Sequence, residues 1–268
     1  MGQFVGYGGV QVQPPYSRVY AWGYVHPDFM GQGIGTELVQ RAEARTREIL
    51  ARANVETPMC LEQLISPDDG AAVVLLTGQG YQPVRHFWQM ELELTAAPPA
   101  PNWPTGITLE TLRADHVRAV YDAMDEAFQD HWGYVAIPVA AQDAAFERWQ
   151  NRLSADPDFD PALVFVALAG AEVAGVAFNR LKFATGPDMG SISSLSVCPP
   201  WRRQGLALAL LYQTFGAFYR RGYARVRLGV DTANVEAIRL YEKVGMRVTH
   251  QQDVYSKELR VADAPPFL

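Results

Sequence analysis

The segment Val25-His26-Pro27-Asp28-Phe29-Met30-Gly31-Gln32-Gly33-Ile34-Gly35 returns 172 positions later as Val197-Cys198-Pro199-Pro200-Trp201-Arg202-Arg203-Gln204-Gly205-Leu206-Ala207. The shared pattern is Val-x-Pro-x-aromatic-x-x-Gln-Gly-aliphatic-small. A second echo follows in the same order at an offset of 165. There Asp69-x-x-Ala72-x-x-Leu75-Leu76-x-x-x-Gly80-Tyr81 matches Asn234-x-x-Ala237-x-x-Leu240-Tyr241-x-x-x-Gly245-Met246. Two ordered echoes at nearly one spacing mark an internal duplication, so the chain must build one local pattern twice. The offset aligns Met1 with Val173. Residues 107–172 then have no counterpart in the first half, which reads as an incomplete copy.

Residues 95–106 hold four prolines in twelve positions and favour an extended, semi-rigid spacer. The chain therefore divides into a degenerate copy over 1–94, a linker over 95–106 and a complete copy over 107–268. A net charge of −6 with pI near 5.4 argues against a dedicated nucleic-acid binder. Cys60 and Cys198 are too few for a disulfide framework or a zinc site, and the five histidines show no ligand spacing, so no metal is expected. No basic region precedes an apolar core at the N-terminus, and Gly6 breaks the myristoylation pattern. The most apolar stretch, 162–178, is broken by Gly170, Glu172 and Gly175 and reads as a hairpin rather than a membrane span. The expectation is a cytoplasmic protein with no membrane or nucleic-acid partner.

In the C-terminal copy, residues 107–112 alternate as a strand. Val117, Val120, Tyr121, Met124 and Phe128 then fall at helical spacing, and His131-Trp132-Gly133-Tyr134 ends that helix in a loop. A second helix over 142–153 places Phe146, Trp149 and Leu153 on one face. Strands over 163–168 and 173–181 form a hairpin around Ala169-Gly170, and a strand over 191–197 stops at Pro199-Pro200. A helix over 204–221 carries Leu211, Thr214, Phe215 and Phe218 as its core stripe, with Gly222 as cap. A strand over 225–230, a helix over 234–244 and strands over 246–250 and 254–259 complete a mixed α/β order.

The junction after Val197 carries chemistry. The first N–H groups of a helix have no internal partner and the helix dipole adds positive charge there. Gly205 lacks a Cβ, Ala207 keeps the next turn low, and Arg202 and Arg203 add charge, which suits a diphosphate. The Gly-x-x-x-x-Gly-Lys-Ser/Thr pattern is missing, so nucleoside triphosphate hydrolysis is not indicated. Taken alone, the turn reads equally as a plain strand-to-helix connection. Asn234 opens the next helix, and Tyr241 lies two turns on along the same face. A phenol, with a reference pKa near 10, can give a proton to a leaving thiolate; Tyr241 also reads as a core aromatic.

Together, Arg202-x-x-Gly205-x-Ala207 and Asn234-x-x-Ala237-x-x-Leu240-Tyr241-x-x-x-Gly245-Met246 resemble the GNAT superfamily of acyl-CoA-dependent N-acyltransferases. Met246 stands where that family usually has Phe. The resemblance covers 107–260, and the repeat makes the chain similar to tandem GNAT proteins, an arrangement shared by mycothiol synthases. It implies two GNAT-type mixed-sheet domains, the N-terminal one lacking its first strand, first two helices and second strand. It also implies that acetyl-CoA is the co-substrate and that a small-molecule or peptide amine attacks it directly. The main chain of Leu195, Ser196 and Val197 would pair with the pantetheine arm, and the Val197 amide would face the thioester oxygen. Amides of Arg203, Gln204, Gly205, Leu206, Ala207 and Leu208 would hold the diphosphate, beside Arg202. Asn234 would reach the pantetheine or its water, and Tyr241 would protonate the thiolate. His131, Trp132 and Tyr134 border the expected acceptor site. No single base stands out: Glu126, His131, Asp231 and a water chain from Ser193 remain candidates.

The N-terminal copy has Met30 in place of Arg202 and Leu76 in place of Tyr241, so catalysis is expected only in the C-terminal copy. A sheet without its early strands exposes an edge, which the C-terminal half or a second copy of the chain would cover. The competing readings are a non-catalytic acyl-CoA sensor or scaffold and a remnant without function.

Overall fold

The computed structural model describes residues 3–12, 18–52, 59–181 and 188–260. In chain order the regular elements are β1 (Gly6–Val12), β2 (Arg18–Val25), α1 (Ile34–Arg52), β3 (Met59–Ile65), α2 (Gly70–Gly78), β4 (Gln82–Glu93), β5 (Ile107–Thr111), α3 (Val117–Phe128), α4 (Gln142–Ala155), β6 (Val164–Ala169), β7 (Glu172–Arg180), β8 (Met189–Val197), α5 (Leu206–Arg220), β9 (Arg225–Asp231), α6 (Val235–Lys243) and β10 (Arg247–Leu259). The last two expected strands are therefore one. His250, Gln251, Gln252 and Asp253, which carry no apolar alternation, continue β10 because Asp253 pairs with Ile65 and Val254 with Leu64 of β3. Tertiary pairing overrides local propensity there.

The chain forms two compact units that do not follow its order. One comprises Met1–Trp88 with His250–Leu268, the other Gln89–Thr249. In the first unit the strand order is β1-β2-β3-β10-β4. β1 pairs with β2 antiparallel over seven unbroken positions, β2 with β3 parallel, and β10 with β3 antiparallel. Val19, Leu50, Met59, Leu61, Leu76 and Tyr81 fill its core.

In the second unit the order is β4-β9-β8-β7-β6-β5, with β8 and β9 parallel and the strands from β5 to β8 antiparallel. α3 and α4 supply Val120, Ala123, Ala127 and Leu153 to a core shared with Val164, Val166, Val176 and Phe178. Tyr121 of the expected α3 stripe packs on Phe146 and Trp149 of α4, at 5.4 and 5.3 Å between ring centres. The expected α5 stripe is buried throughout: Leu211, Thr214, Phe215 and Phe218 are each at most 1% exposed. Each such apolar side chain contributes about 1.5–3 kcal/mol on burial. Gly190 is dictated by this packing, since a Cβ there would meet the Phe218 ring at 2.6 Å. α5 ends where Gly222 takes the left-handed conformation, φ 80°, the expected cap.

Candidate active site

Two neighbouring parallel strands separate. β8 and β9 pair from Met189–Arg225 to Ile192–Leu228, yet β8 runs on to Val197 and β9 to Asp231. On the other side, β8 stays paired with β7: Leu195 lies opposite Ala177, Ser196 opposite Val176 and Val197 opposite Gly175. That register steps from Phe178–Ser194 to Asn179–Ile192, so Ser193 is one extra residue in β8. Such a bulge bends its strand and adds twist. The first unit repeats the short pairing, with β2 and β3 matched only from Arg18–Cys60 to Tyr20–Glu62, but β2 carries no bulge against β1.

Beyond the Ile192–Leu228 pair the main chain of β8 is matched with β7 and no longer with β9. The Cys198 N–H donates to Ala174 O at 3.0 Å. Successive residues point their backbone groups to opposite sides, so Val197 directs its N–H and carbonyl away from β7. The Val197 carbonyl accepts from Arg202 Nε at 3.1 Å. Arg202 also donates to Ala127 O at 3.0 Å and to Asp130 Oδ2 at 2.6 Å. Its guanidinium therefore ties the end of β8 to the end of α3, and this pairing holds the Asp130 carboxyl below the usual carboxylate range.

At the α5 junction Arg202 is extended, Arg203 has φ 63° and Gly205 has φ 87°, and the helix begins at Leu206 without a side-chain cap. Arg203 is the non-glycine residue with positive φ among the described residues; its side chain pairs with Glu236. A Cβ on Gly205 would meet nothing within 4 Å, so the face before the helix is open. Gln204 donates to Pro200 O at 2.9 Å. The first unit reproduces this backbone at the same offset: Met30 is extended, Gly31 has φ 76°, Gly33 has φ 83° and α1 begins at Ile34.

Asn234 caps α6, accepting from the Ala237 N–H at 3.1 Å; Asp69 does the same for α2 with Ala72 at 3.0 Å. Tyr241 is 8% exposed, and burial pushes its phenol up to about 12. Asp231 receives the Ala233 N–H at 2.9 Å. His131 packs edge-on against Phe128, and Tyr134 donates to Asp125 at 3.0 Å; Trp132 lies between them in the loop after α3. Burial, then the Glu126 charge, push the Cys198 thiol up to about 11, which keeps it an inert thiol.

A cavity of about 340 Å³ lies at the closed end of the β8–β9 fork, lined in part by Gln89, Arg180, Ser191, Ser193, Arg227 and Gly229. Of the base candidates, only Ser193 lines it. Arg180, Arg227 and Gln89 were not singled out from sequence. The available signal was Arg227 itself, a charged residue between the core positions Val226 and Leu228. No group of three or more His, Cys, Asp or Glu side chains able to hold a metal occurs among the described residues. No described helix is long and apolar enough to cross a membrane.

Residues 118–246 match the acetyltransferase (GNAT) family model, and residues 1–83 match a second GNAT acetyltransferase domain model. The mycothiol acetyltransferase of Salinispora arenicola is 31% identical over 250 residues, covering 91% of this chain and 75% of that protein. The chain belongs to the GNAT acetyltransferase family. The mycothiol acetyltransferase of Thermobispora bispora is a further relative of this GNAT chain, 30% identical over 82% of it and 70% of the relative. The GCN5-related N-acetyltransferase from Sphaerobacter thermophilus superposes with a TM-score of 0.78 at 35% identity, covering 96% of this chain and 77% of the other. A tandem GNAT protein from the clavulanic acid biosynthesis pathway shares the fold, with a TM-score of 0.70 at 16% identity, over 98% of this chain and 80% of the other. This protein is thus an N-acetyltransferase with two GNAT domains in tandem.

Proposed function

We propose that the C-terminal copy, 107–268, transfers acetyl from acetyl-CoA to a primary amine of a small molecule. The observation that carries this reading is the bulged β8 diverging from β9, ending in the open loop at Gly205. The residues present fit the co-substrate. The Gly205 face has room for a phosphate, and the amides of Arg203, Gln204, Gly205, Leu206, Ala207 and Leu208 supply donors to it. The β8 edge over Leu195, Ser196 and Val197 offers main-chain groups to an extended pantetheine arm. Acetyl-CoA supplies the acyl group as an activated thioester.

The chain's own residues then have distinct tasks. The Val197 N–H, facing away from β7, donates to the carbonyl oxygen as it gains charge. An alkylammonium has a reference pKa near 10.4, so the amine sheds a proton before it attacks; Ser193 at the bulge offers a hydroxyl for a water path. The new bond joins nitrogen to the acyl carbon, the carbon–sulfur bond breaks, and the nitrogen gives up its remaining surplus proton. Tyr241, held near 12, is protonated at neutral pH and passes its proton to that sulfur, and the proton lost from nitrogen restores the phenol, so that one proton in all reaches sulfur. Asn234, already capping α6 through its carbonyl oxygen, presents its amide at the same end of the helix. His131, Trp132 and Tyr134 border the acceptor's approach.

The Met30 and Leu76 replacements and the unbulged β2 support a non-catalytic first copy. The test is thiol release from acetyl-CoA across an amine panel that includes a cysteinyl glucosaminyl-inositol, the acceptor class suggested by the mycothiol acetyltransferase relatives. Turnover with at least one amine, and a loss of 100-fold or more in Tyr241→Phe at unchanged acetyl-CoA affinity, is the expected result. Tight acetyl-CoA binding with no turnover of any amine would establish the sensor reading instead.

A further inference from the structure

The cavity at the closed end of the fork has a charge the transfer reaction does not require. Arg227 is 6% exposed and sits in β9 between Val226 at 0% and Leu228 at 4%. Burial works against its charge, and the Glu91 carboxylate acts the other way to a smaller extent. Arg180, at the end of β7, places Nη2 at 3.1 Å from Asp156 Oδ2. Its Nε is buried without a hydrogen-bond partner. The hydroxyls of Ser191 and Ser193 and the amide of Gln89 complete a donor-rich wall, and the cavity lining contains no carboxylate among the described residues.

The first unit provides an internal control. Tyr20 pairs with Glu62 there as Ser191 pairs with Arg227 in the second unit. Glu62, 2% exposed, is held by Arg18 at 3.1 Å. The fold therefore does not need an arginine at this register. In the second unit the same position carries an arginine that lines a cavity, with a second arginine on the same wall.

We propose that this cavity is an acceptor subsite that takes an anionic oxygen group, a carboxylate or phosphate, borne by the amine substrate. Guanidinium groups bind such planar or tetrahedral oxyanions through paired N–H donors, and the serine hydroxyls complete the shell. A volume of about 340 Å³ lies at the small end of ligand pockets, which suits a small metabolite rather than a protein tail. Ser193 belongs both to this wall and to the bulge, so an anion held here sets the amine beside the diverging strands. This subsite rests on the acetyl-transfer reading above.

The test compares matched primary amines at saturating acetyl-CoA, each pair differing only in a carboxylate or phosphate against its neutral amide or alcohol. The expected result is a kcat/KM at least about 10-fold higher for the anionic member, the equivalent of one charge-assisted pair. Arg180→Gln should bring that ratio toward one. Inorganic phosphate should inhibit the wild-type enzyme competitively against the amine, a readout that does not depend on any variant folding. Equal turnover of both members, a ratio that survives Arg180→Gln, or no competition by phosphate overturns the subsite while leaving acetyl transfer intact. No turnover of any amine overturns the transfer reading itself, and the subsite falls with it.

Discussion

Gly205 offers a paired experiment in which the backbone cost and the ligand cost separate. Its φ of 87° lies where an L-residue loses roughly 1–2 kcal/mol relative to glycine. A Cβ there meets no protein atom within 4 Å, so Gly205→Ala adds no internal clash. Gly222, beyond the other end of α5, has φ 80° and equally open surroundings. Gly222→Ala should therefore carry the same backbone cost, about 1–2 kcal/mol, seen as a similar drop in midpoint for both variants in denaturant titration. The new methyl at Gly205 would stand in the space assigned to the diphosphate. Displacing two charge-assisted amide bonds at roughly 1.5 kcal/mol each weakens acetyl-CoA by about 100-fold. Calorimetric titration of both variants with acetyl-CoA reads this directly. If Gly205→Ala binds as tightly as Gly222→Ala, the α5 N-terminus is not the diphosphate site.

Three further outcomes follow from the same geometry. Burial raises Tyr241 from 10.0 to about 12, so its contribution to stability is complete below pH 10 and disappears as pH climbs to 12. The loss amounts to about 3 kcal/mol, and Tyr241→Phe should flatten the stability profile over that range. Asp130 is shifted the other way by Arg202. Its contribution holds above the ordinary Asp value near 4 and fades as pH falls through the lowered one; Arg202→Met should remove this acid-side slope in thermal melts. Deleting Ser193 should restore an unbroken β7–β8 register and cut kcat by at least about 100-fold while acetyl-CoA still binds, because the aim of the Val197 amide and the Ser193 hydroxyl are lost together; undiminished turnover would refute a role for the bulge.

Arg202 shows how far residue type alone can guide. As a cation in a diphosphate-like loop it read as a ligand for the co-substrate, and the fold engages it with Val197 O, Ala127 O and Asp130. Val197 lies only five residues before it, but Ala127 at the end of α3 and Asp130 just past that helix are more than seventy residues upstream, and no local pattern could pair Arg202 with them. Asn234 was legible as a helix start because capping is a local property. The bulge at Ser193 was not, since register is defined only against the partner strand β7.

The duplication, the helix stripes, the paired glycine turns at Gly33 and Gly205, and the family are legible in the amino-acid order, because each is written in short runs of neighbouring residues. Only long-range pairing reveals that β10 lies beside β3, that β8 parts from β9 after Ile192, and that Arg180 and Arg227 line one cavity. These arise where strands distant in sequence meet, and backbone pairing with burial, rather than local preference, fixes such contacts.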